Sequence, residues 1–469
     1  MRQKPRSARW KRFSPGYQKR SHRHEDRISR NPEYRDADRT SNGGGSSCSQ
    51  DPPCDEVRQF YRMRLRDAAA FDRPWLRLAE FFDNDPSNVV QIEWTIPAVD
   101  VLMLSRALSH FLADWNELPA TPNMCDLFRP LKHLAVEVKR GCWDHVPIEC
   151  RRFWRHEDVR RLCVEIEEHT RGEFTVSFMV RKDEHQFARE LWPKLECWMD
   201  ANHYLKRQKI CADGRLLPPQ EGDVWERLIL PPETKRSILE NTVALFKRAE
   251  AHRRFQLPLR RGVLLHGPPG TGKTMIGRAL AGDAESTFIV AAASDVEEPA
   301  DVRRIFLLAR RLAPTILFFE DLDLIGANRH GDGSRQVLGE LLTCLDGIES
   351  PDGVVVVATT NDLGAIEPAL KDRPSRFDVV LEVPPLDQTM GGLYIREWMD
   401  RRGISMPEGR ADLLTRQRIT GAEAQELCLA ASLRAMERSS GSLAVTAEDF
   451  HHAEQCLRAE RQPRIGFGG

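Results

Sequence analysis

The eight residues from Gly267 to Thr274, which read GPPGTGKT, have the composition of a phosphate-binding loop. Glycines at this spacing let backbone amides approach phosphate oxygens, and the helix that follows presents its positive N-terminal end. We expect Lys273 to reach the terminal phosphates and the Thr274 hydroxyl to bind magnesium. An ordinary glycine-rich turn is the alternative, but the apolar run before the loop supplies the strand that a phosphate loop needs. The predicted nucleotide contacts are Gly267, Pro268, Pro269, Gly270, Thr271, Gly272, Lys273, Thr274 and Met275.

Two adjacent acids follow a second apolar run, in the segment ILFFED. In phosphate-loop enzymes, acids at the end of a neighbouring buried strand hold magnesium and orient the attacking water. We therefore assign Glu320, together with Thr274, to the magnesium site and Asp321 to polarising the water. Acids are also favoured at helix N-termini, so the alternative is that these two only cap the next helix.

A third apolar run, VVVVATTN, ends in Asn361. A side-chain amide here would be positioned to bond the γ-phosphate or the attacking water, although an asparagine that closes a strand is usually part of a turn. The later segment DRPSRFD carries Arg373 and Arg376. Arginine suits the charge on a transferring phosphoryl group, and solvated surface charges are the alternative. The predicted catalytic residues are Glu320, Asp321, Asn361 and Arg376.

Short β-rich runs alternate with helical segments from residue 218 onward, which predicts a parallel sheet covered by helices. The runs are apolar on consecutive positions, as is typical of strands buried on both faces. The predicted strands are 263–266, 287–291, 315–320, 354–359 and 379–383. The expected fold class is therefore α/β, with a five-stranded parallel sheet flanked by helices.

From Gln388 onward the β-rich runs stop and helical patterns replace them. Thr420 with Glu423, and Thr446 with Asp449, each have the spacing of a capping box ahead of an apolar periodic stretch. Two helices are therefore expected to begin at these points, within a small C-terminal helical domain.

The region before the α/β domain is interpreted as globular and mostly helical from residue 59 to 170. From Glu173 the apolar positions alternate as in a strand and then recur at helical spacing, although Pro193 would kink that helix. The aromatic stripe of this helix fits a core face better than a ligand platform. The predicted division is a disordered basic arm (1–58), a mainly helical or α+β N-terminal domain that binds a partner (59–217), the α/β domain (218–387), the helical domain (388–460) and a tail (461–469).

The charge of the 469 residues is nearly balanced, with 69 Lys+Arg against 70 Asp+Glu. Residues 1–50 hold 13 of these bases and 5 of the acids among glycines and serines, a composition that predicts disorder. This arm is interpreted as a solvated tail, with contact to nucleic acid or an acidic partner as the alternative. The 11 cysteines include no CxxC pair, and no apolar run has the length of a membrane span. We therefore expect a cytoplasmic protein with reduced cysteines.

Taken together, these motifs resemble those of the AAA family of ATPases, in the AAA+ superfamily, over residues 218 to 460. GPPGTGKT resembles the Walker A motif, ILFFED the Walker B motif, ATTN sensor 1, and PALKDRPSRFD the second region of homology. TGAEAQEL is similar to the sensor-2 helix, which implies that Gly421 and Ala422 lie near the nucleotide. The resemblance implies a P-loop sheet with a helical lid, ATP and Mg²⁺ as ligands, and usually a hexameric ring in which Arg376 reaches the neighbour's γ-phosphate.

The sequence departs from the family pattern at three places. Glu320 and Asp321 stand in the reverse of the usual Walker B order, and Val379 stands where some members have a second arginine. Between Ser294 and Val302 there is only DVEEPAD, without the aromatic pore loop of protein-threading members. The threading of unfolded polypeptide is therefore not expected from this loop.

We expect an ATP hydrolase that assembles into a ring and remodels a macromolecular partner, most simply a protein, bound by residues 59–217. The alternative is a scaffold whose assembly is gated by nucleotide and whose hydrolysis is vestigial, which the three departures favour. A protein that contacts nucleic acid through its basic arm is a third interpretation.

Overall fold

The structure is a computed structural model of the chain, and the part that it describes is divided by short gaps. The described residues are 74–122, 131–157, 160–169, 172–220, 222–283, 285–325, 333–346, 353–364, 366, 377–406, 418–438 and 443–461. The predicted basic arm and most of the predicted tail lie outside these ranges. No helix within them is both long and apolar enough to cross a membrane. The chain forms two compact units, Met1–Asn202 and His203–Gly469.

The N-terminal unit is built on antiparallel strands. Its described helices and strands are α1 (Pro74–Phe81), β1 (Val89–Pro97), α2 (Ala98–Phe111), β2 (Asn116–Pro122), β3 (Lys132–Lys139), β4 (Cys142–Ile148), β5 (Cys150–His156), β6 (Arg160–Glu168), β7 (Glu173–Arg181) and α3 (His185–Asn202). Five strands form a sheet in the order β1-β7-β6-β5-β2, and β3 pairs with β4 in a separate ribbon.

Helices α2 and α3 pack against the apolar face of this sheet. Alternate residues of β7 from Phe174 to Val180 are almost completely buried on that face. Trp192 of α3 stacks on Trp94 of β1, with ring centroids 4.3 Å apart, and meets the Phe178 ring edge-on at 5.7 Å. The predicted stripe of α3 also packs inside the unit, because Leu191 and Leu195 are buried. Its half-buried aromatic members, Phe187 and Trp198, stack on Trp115 and His110, each at 5.3 Å between ring centroids.

The interpretation of residues 59–170 as mostly helical is wrong for the part of that range that the structure describes, because strands β1 to β6 occupy most of it. Strand β5 shows why the pattern misleads. The Arg152 guanidinium pairs with Glu117 at 2.7 Å and lies over the Trp154 ring, so a charged side chain fills a buried strand position. The strand and helix predicted after Glu173 are confirmed, and α3 continues through Pro193.

The C-terminal unit contains a parallel sheet and a helical lid. Its described helices and strands are β8 (Lys209–Cys211), α4 (Val224–Arg227), α5 (Pro232–Asn241), α6 (Val243–Lys247), α7 (Ala249–Arg254), β9 (Arg261–His266), α8 (Lys273–Asp283), β10 (Thr287–Ala291), α9 (Pro299–Arg311), β11 (Thr315–Phe319), α10 (Gly333–Asp346), β12 (Val354–Thr360), β13 (Val379–Glu382), α11 (Gln388–Asp400), α12 (Gly421–Arg438) and α13 (Ala447–Arg461). The strands lie in the order β13-β9-β12-β11-β10-β8, and every pairing is parallel.

The five predicted strands are present, and the described sheet has a sixth that the sequence analysis does not predict. Strand β8 pairs with β10 at the edge, with Ile210 opposite Ile289. Because β8 lies before residue 218, the predicted start of the α/β domain differs from the start of this unit at His203. A strand of three residues is too short to show the period-2 pattern from which strands are predicted.

Every residue of strands β11 and β12 is buried. The apolar runs are therefore strands covered on both faces, as the sequence predicts. Because parallel strands end at the same edge of a sheet, the segments that follow β9, β11 and β12 meet there.

Helices α11, α12 and α13 form the lid around a core of their own, which includes Ile395, Leu427 and Phe450. Both predicted capping boxes are present. The Thr420 N–H donates to a Glu423 carboxylate oxygen at 2.9 Å, and the Glu423 N–H donates back to the Thr420 hydroxyl at 3.3 Å. The equivalent pair at the start of α13 has distances of 2.8 and 3.4 Å. The two helices begin at Gly421 and Ala447, one residue after each capping threonine.

Candidate nucleotide site

The glycine-rich loop joins the carboxyl end of β9 to the first turn of α8. Gly267 and Gly270 have φ angles of 154° and 80°, which side chains rarely tolerate. A Cβ atom at Gly267 would lie 2.3 Å from the Val383 carbonyl oxygen, and one at Gly270 would lie 2.8 Å from the Ala422 Cβ. Both positions therefore need glycine, and the loop keeps an exposed crown from Pro268 to Gly270.

Lys273 begins helix α8 and folds back over the loop that precedes it. Its Nζ donates to the carbonyl oxygens of Gly267 at 2.6 Å and Pro268 at 2.9 Å. Burial lowers the pKa of Lys273, and the nearby carboxylates of Asp321 and Asp323 oppose this shift. The lysine thus brings positive charge between the loop and the acids after β11.

Thr274 and Glu320, the two residues predicted to hold magnesium, are in direct contact. The Thr274 hydroxyl donates a hydrogen bond to the Glu320 carboxylate. Burial raises the pKa of Glu320, the Asp321 carboxylate raises it further, and Thr274 and Arg278 lower it. A hydroxyl beside a partly buried carboxylate suits a divalent cation, because hard cations prefer oxygen ligands and their charge stabilises the ionised acid.

Asp321 points to a different partner from Glu320, although the two are consecutive. Its backbone is left-handed, with φ 49° and ψ 66°, and its side chain makes no capping bond to the short 3₁₀ turn that follows. The Asp321 Oδ1 accepts from the Asn361 side-chain amide at 3.2 Å, and the Asp321 N–H donates to the Thr359 hydroxyl at 2.9 Å. The absence of a capping bond argues against the alternative that Asp321 only caps a helix.

Asp323 belongs to this cluster and was missed in the sequence analysis. Its Oδ1 accepts from the Thr360 hydroxyl and from the Asn361 N–H, both at 2.9 Å. Asp323 thereby fixes the backbone of Asn361, while Asp321 holds its side chain. The only signal in the sequence is an acid two positions after the ED pair, in the segment EDLD.

The lid contacts the loop through the start of helix α12. The Ala422 N–H donates to the Gly270 carbonyl oxygen at 3.0 Å, and a Cβ atom at Gly421 would lie 3.4 Å from the same oxygen. The two residues assigned to sensor 2 therefore lie against the phosphate-loop crown.

A segment between strands β8 and β9 also borders the loop and carries no motif in the sequence analysis. The Leu228 side chain lies near Gly272, where an added Cβ would be 3.2 Å from it. The preceding helix α4 is capped by the Asp223 carboxylate, which accepts from the Trp225 N–H at 2.8 Å.

Of the other predicted site residues, two contact the protein itself and two lie outside the described residues. Thr271 is buried and its hydroxyl donates to the Pro268 carbonyl oxygen at 3.0 Å, while Met275 packs against the core of the sheet. Arg373 and Arg376 lie outside the described residues.

The stretch from Ala292 to Asp301, which follows β10 and contains no aromatic residue, is fixed by its own acids. The Ala292 N–H donates to the Asp295 carboxylate at 2.9 Å. The N–H groups of Glu297 and Glu298 both donate to the Asp301 carboxylate, at 3.0 and 2.9 Å. The stretch is thus a self-capped turn that leads into helix α9.

A glycine loop between a buried strand and a helix, with acids directly after another buried strand of the same parallel sheet, defines a P-loop nucleotide-binding domain. Residues 263–385 match the family model described as "ATPase family associated with various cellular activities (AAA)". The chain carries an AAA domain.

Curated relatives agree with this assignment. The chain is 36% identical over 248 residues to the proteasome-activating nucleotidase of Aeropyrum pernix, which covers 50% of this chain and 60% of the relative. It is 34% identical over 250 residues to the Methanopyrus kandleri protein of the same name, covering 50% and 56%. It is 35% identical over 230 residues to the ATP-dependent zinc metalloprotease FtsH of Acidothermus cellulolyticus, covering 46% and 34%. The matched part thus spans less than two thirds of each of these relatives.

Proposed function

We propose that the protein hydrolyses ATP at this site and uses the hydrolysis, in a ring of several copies, to remodel a protein partner. The observation that carries the proposal is the meeting of Lys273, the Thr274–Glu320 pair and the Asp321–Asn361 pair at one edge of the sheet. These groups supply a cation for phosphates, oxygen ligands for a metal, and a carboxylate and an amide for water.

In this proposal the loop amides and Lys273 bind the β- and γ-phosphates of ATP. Asp321 accepts a hydrogen bond from the attacking water and orients it toward the γ-phosphorus. The Asn361 amide, held between Asp321 and Asp323, is available to the water or a γ-phosphate oxygen. Gly421 and Ala422 let the lid follow the state of the loop, because they touch Gly270.

Mg²⁺ fits the pair formed by Thr274 and Glu320. Such an ion usually takes one or two protein oxygens and completes its shell with phosphates and water, so a large cluster of acids is not needed. When bound, Mg²⁺ neutralises charge on the transferring phosphoryl group. Thr274 would hold it through the hydroxyl, and Glu320 through its carboxylate or through a water.

The partner and the assembly are proposed from the relatives and from the resemblance. The names of the proteasome-activating nucleotidases and of the FtsH protease point to protein substrates. Arg376 would complete the site of a neighbouring copy in a ring, most simply a hexamer. The eight free cysteines among the described residues fit a reducing compartment, and we place the protein in the cytoplasm.

A second candidate is a scaffold whose assembly depends on bound nucleotide. The self-capped turn after β10 favours it, because Asp295 and Asp301 fix the backbone where a polypeptide-gripping loop would need mobile aromatic side chains. The same turn is also compatible with remodelling that does not thread the partner through a pore.

The test measures ATP binding and steady-state phosphate release for the wild type and for Lys273→Ala, with Lys247→Ala as a matched surface control. The Lys273→Ala variant is expected to lose nucleotide binding and turnover while the control keeps both. An ATP affinity within about threefold of wild type in Lys273→Ala would refute the site. A wild type that binds ATP without releasing phosphate at any protein concentration would favour the scaffold.

A further inference from the structure

Strand β1 forms an outer edge of the N-terminal sheet. It lies at one end of the order β1-β7-β6-β5-β2, and no strand of the described residues pairs with its other side. Its nine residues, VVQIEWTIP, pair with β7 in one unbroken register, from Val89 opposite Arg181 to Pro97 opposite Glu173. The edge of a sheet presents a row of backbone N–H and C=O groups to which another strand can add.

The other edge strands that the structure describes carry features that hinder such pairing. Strand β2, at the opposite edge of the same sheet, contains two prolines and a shift in register. In the separate ribbon, β3 has three charged residues and β4 contains Asp144 and Pro147. The edge strands of the parallel sheet, β8 and β13, have only three and four residues. Prolines, bulges, charges and short length all protect an edge, whereas β1 has a single charge, Glu93, and a proline only at its last position.

The backbone groups of β1 that face outward follow from a hydrogen bond at its end. The Ala98 N–H donates to the Gly172 carbonyl oxygen at 2.8 Å. In an antiparallel pair, the N–H and C=O groups of alternate residues point to the same neighbouring strand. The even-numbered residues of β1 therefore face β7, and the odd-numbered residues, which include Gln91 and Thr95, face outward.

One face of the edge offers apolar surface. On the side covered by helices α2 and α3, Ile92 and Ile96 are buried. Trp94, on the same side, is only half-buried although its ring stacks on Trp192 of α3. Part of an indole at the edge thus remains open to an apolar side chain from an added strand.

The opposite face carries acids next to the same edge. Glu93 lies opposite Ser177 of β7, and Ser177 lies opposite Glu165 of β6. Burial raises the pKa of Glu165, and its ion pair with Arg151 opposes this shift. The charges of Glu167 and Glu93 raise the pKa further. The three carboxylates thus act on one another, and a basic side chain beside Glu93 would relieve their repulsion.

We propose that β1 binds an extended segment of a protein partner, which adds to this sheet as a sixth strand. The outward backbone groups supply hydrogen bonds that any extended polypeptide can make. The side chains of β1 select a segment in which apolar residues, beside Trp94, alternate with lysine or arginine, beside Glu93. The inference rests on the proposed function for the kind of partner, a protein, and names the strand that holds it.

A second copy of β1 is the other strand that the chain itself could offer. Pairing about a two-fold axis through the middle of the strand would set the two Glu93 carboxylates opposite each other. Like charges directly opposite each other destabilise a strand pair. The charge of this edge therefore favours a basic segment over a copy of the same strand.

The probe is a fluorescein-labelled peptide of the same length as β1 in which valine and lysine alternate. Fluorescence anisotropy with the full chain measures its dissociation constant. Thr95→Pro removes an outward N–H without removing a hydrogen bond to β7, so it should weaken binding by about tenfold or more. Thr95→Val keeps the N–H and is the matched control, for which unchanged affinity is expected. The same peptide with proline at its central position should also bind about tenfold more weakly or worse.

A charge reversal tests the selection by side chains. The wild type should bind the valine–lysine peptide more tightly than a valine–glutamate peptide, and Glu93→Lys should reverse this preference. Equal affinity of the wild type for the two peptides overturns the proposed selection of a basic segment.

Hydrogen exchange at residue resolution tests the edge in the wild type, without any variant that must fold. Bound valine–lysine peptide should slow exchange of the Gln91 and Thr95 amides, while those of Ile92 and Trp94, which face β7, change little. Unchanged exchange at Gln91 and Thr95 overturns the inference, and so does a folded Thr95→Pro variant that binds the peptide as the wild type does.

Two further outcomes separate this inference from its rivals. Protection of the Gln91 and Thr95 amides that grows with protein concentration, without any peptide, overturns it in favour of a second copy. Phosphate release, measured on the same samples, tests the proposed function on its own. A chain that binds the peptide at β1 but never hydrolyses ATP refutes the proposed function and supports the inference.

Discussion

Gly277 of helix α8 and Phe318 of strand β11 are in contact so close that no side chain fits between them. A Cβ atom at Gly277 would lie 2.5 Å from two carbons of the Phe318 ring. The ring is 1% exposed and stacks near Phe288, at 6.0 Å between centroids, so it has little room to move. This contact sets the distance between the helix that carries Lys273 and the strand that leads to the acids.

The first prediction is that Gly277→Ala destabilises the C-terminal unit by about 1–3 kcal/mol, because the added methyl overlaps a buried ring. Thermal or urea unfolding measures the change. Phe318→Leu in the Gly277→Ala background should recover part of the lost stability, since the smaller side chain vacates the overlapped space.

The neighbouring Gly282 provides a matched control, because no atom lies within 4 Å of an added Cβ there. Gly282→Ala should leave stability unchanged or raise it slightly, as alanine favours a helix. Equal effects of Gly277→Ala and Gly282→Ala would contradict the overlap.

Site residues can be proposed from the sequence when a single strand and the loop after it contain the entire motif. The strands β9, β11 and β12 are continuous apolar runs, and each is followed directly by chemically distinctive residues. Lys273, Glu320 and Asn361 could therefore be proposed as site residues from the sequence, and the structure brings the segments that carry them to one edge of the sheet. Asp323 and Leu228 were not found, because each acts through a tertiary contact that no spacing rule describes.

The N-terminal sheet shows a different reason why a strand can escape prediction from the sequence. In strand β5 the consecutive residues Phe153 and Trp154 are both buried, one on each face of the sheet. Arg152 is buried beside them, and its guanidinium pairs with Glu117. Alternation disappears when both faces of a strand are covered and arginine stems take part in the packing. Strand β7 kept its alternation from Phe174 to Val180 and was predicted.

The second prediction separates the two acids after β11. Asp321→Asn should retain ATP binding and lose turnover by about 10²-fold or more, because the amide keeps the shape but cannot accept a proton from water. Glu320→Gln should instead raise the Mg²⁺ concentration needed for half-maximal rate. Phosphate release measured across a Mg²⁺ titration checks both.

Glu340, which pairs with Arg303 on the surface of the same domain, offers a control acid. Glu340→Gln should change neither turnover nor the Mg²⁺ requirement. The assignment fails if Asp321→Asn keeps wild-type turnover, or if Glu320→Gln leaves the Mg²⁺ titration unchanged.

The third prediction concerns the pH dependence of lid stability. Burial raises the pKa of Asp449, but the hydrogen bonds from Thr446 and the charges of Arg438 and Arg434 outweigh it, so the pKa lies below its ordinary value of 3.8. The folded lid therefore prefers the ionised carboxylate. Its contribution is fully present above the unfolded pKa and is lost as pH falls through the lower folded pKa.

Asp449→Asn should lower the free energy of unfolding by about 1–2 kcal/mol near neutral pH, because it removes the one ionic partner that Arg434 and Arg438 share. The difference from wild type should shrink as the pH falls below about 4. Urea unfolding from pH 7 downward measures it, with exposed Glu448→Gln as the control. A difference that is constant with pH would show that the charge of Asp449 does not contribute.

The last prediction tests whether each ATP site is shared between two copies. An arginine that acts on a neighbour contributes nothing to its own nucleotide, so Arg376→Ala should bind ATP normally and hydrolyse it about 10³-fold more slowly. Arg373→Ala, three residues earlier in the same segment, is the matched control and should retain more activity.

Mixing then decides between a shared site and a self-contained one. Lys273→Ala copies keep Arg376 and can lend it to an Arg376→Ala neighbour whose phosphate loop is intact, so a mixture should regain activity that neither variant has alone. The regained activity should fade on dilution as the assembly dissociates. If Arg376→Ala hydrolyses ATP normally, or if mixed assemblies form without recovering activity at any ratio, the site is not shared and the scaffold becomes the better interpretation.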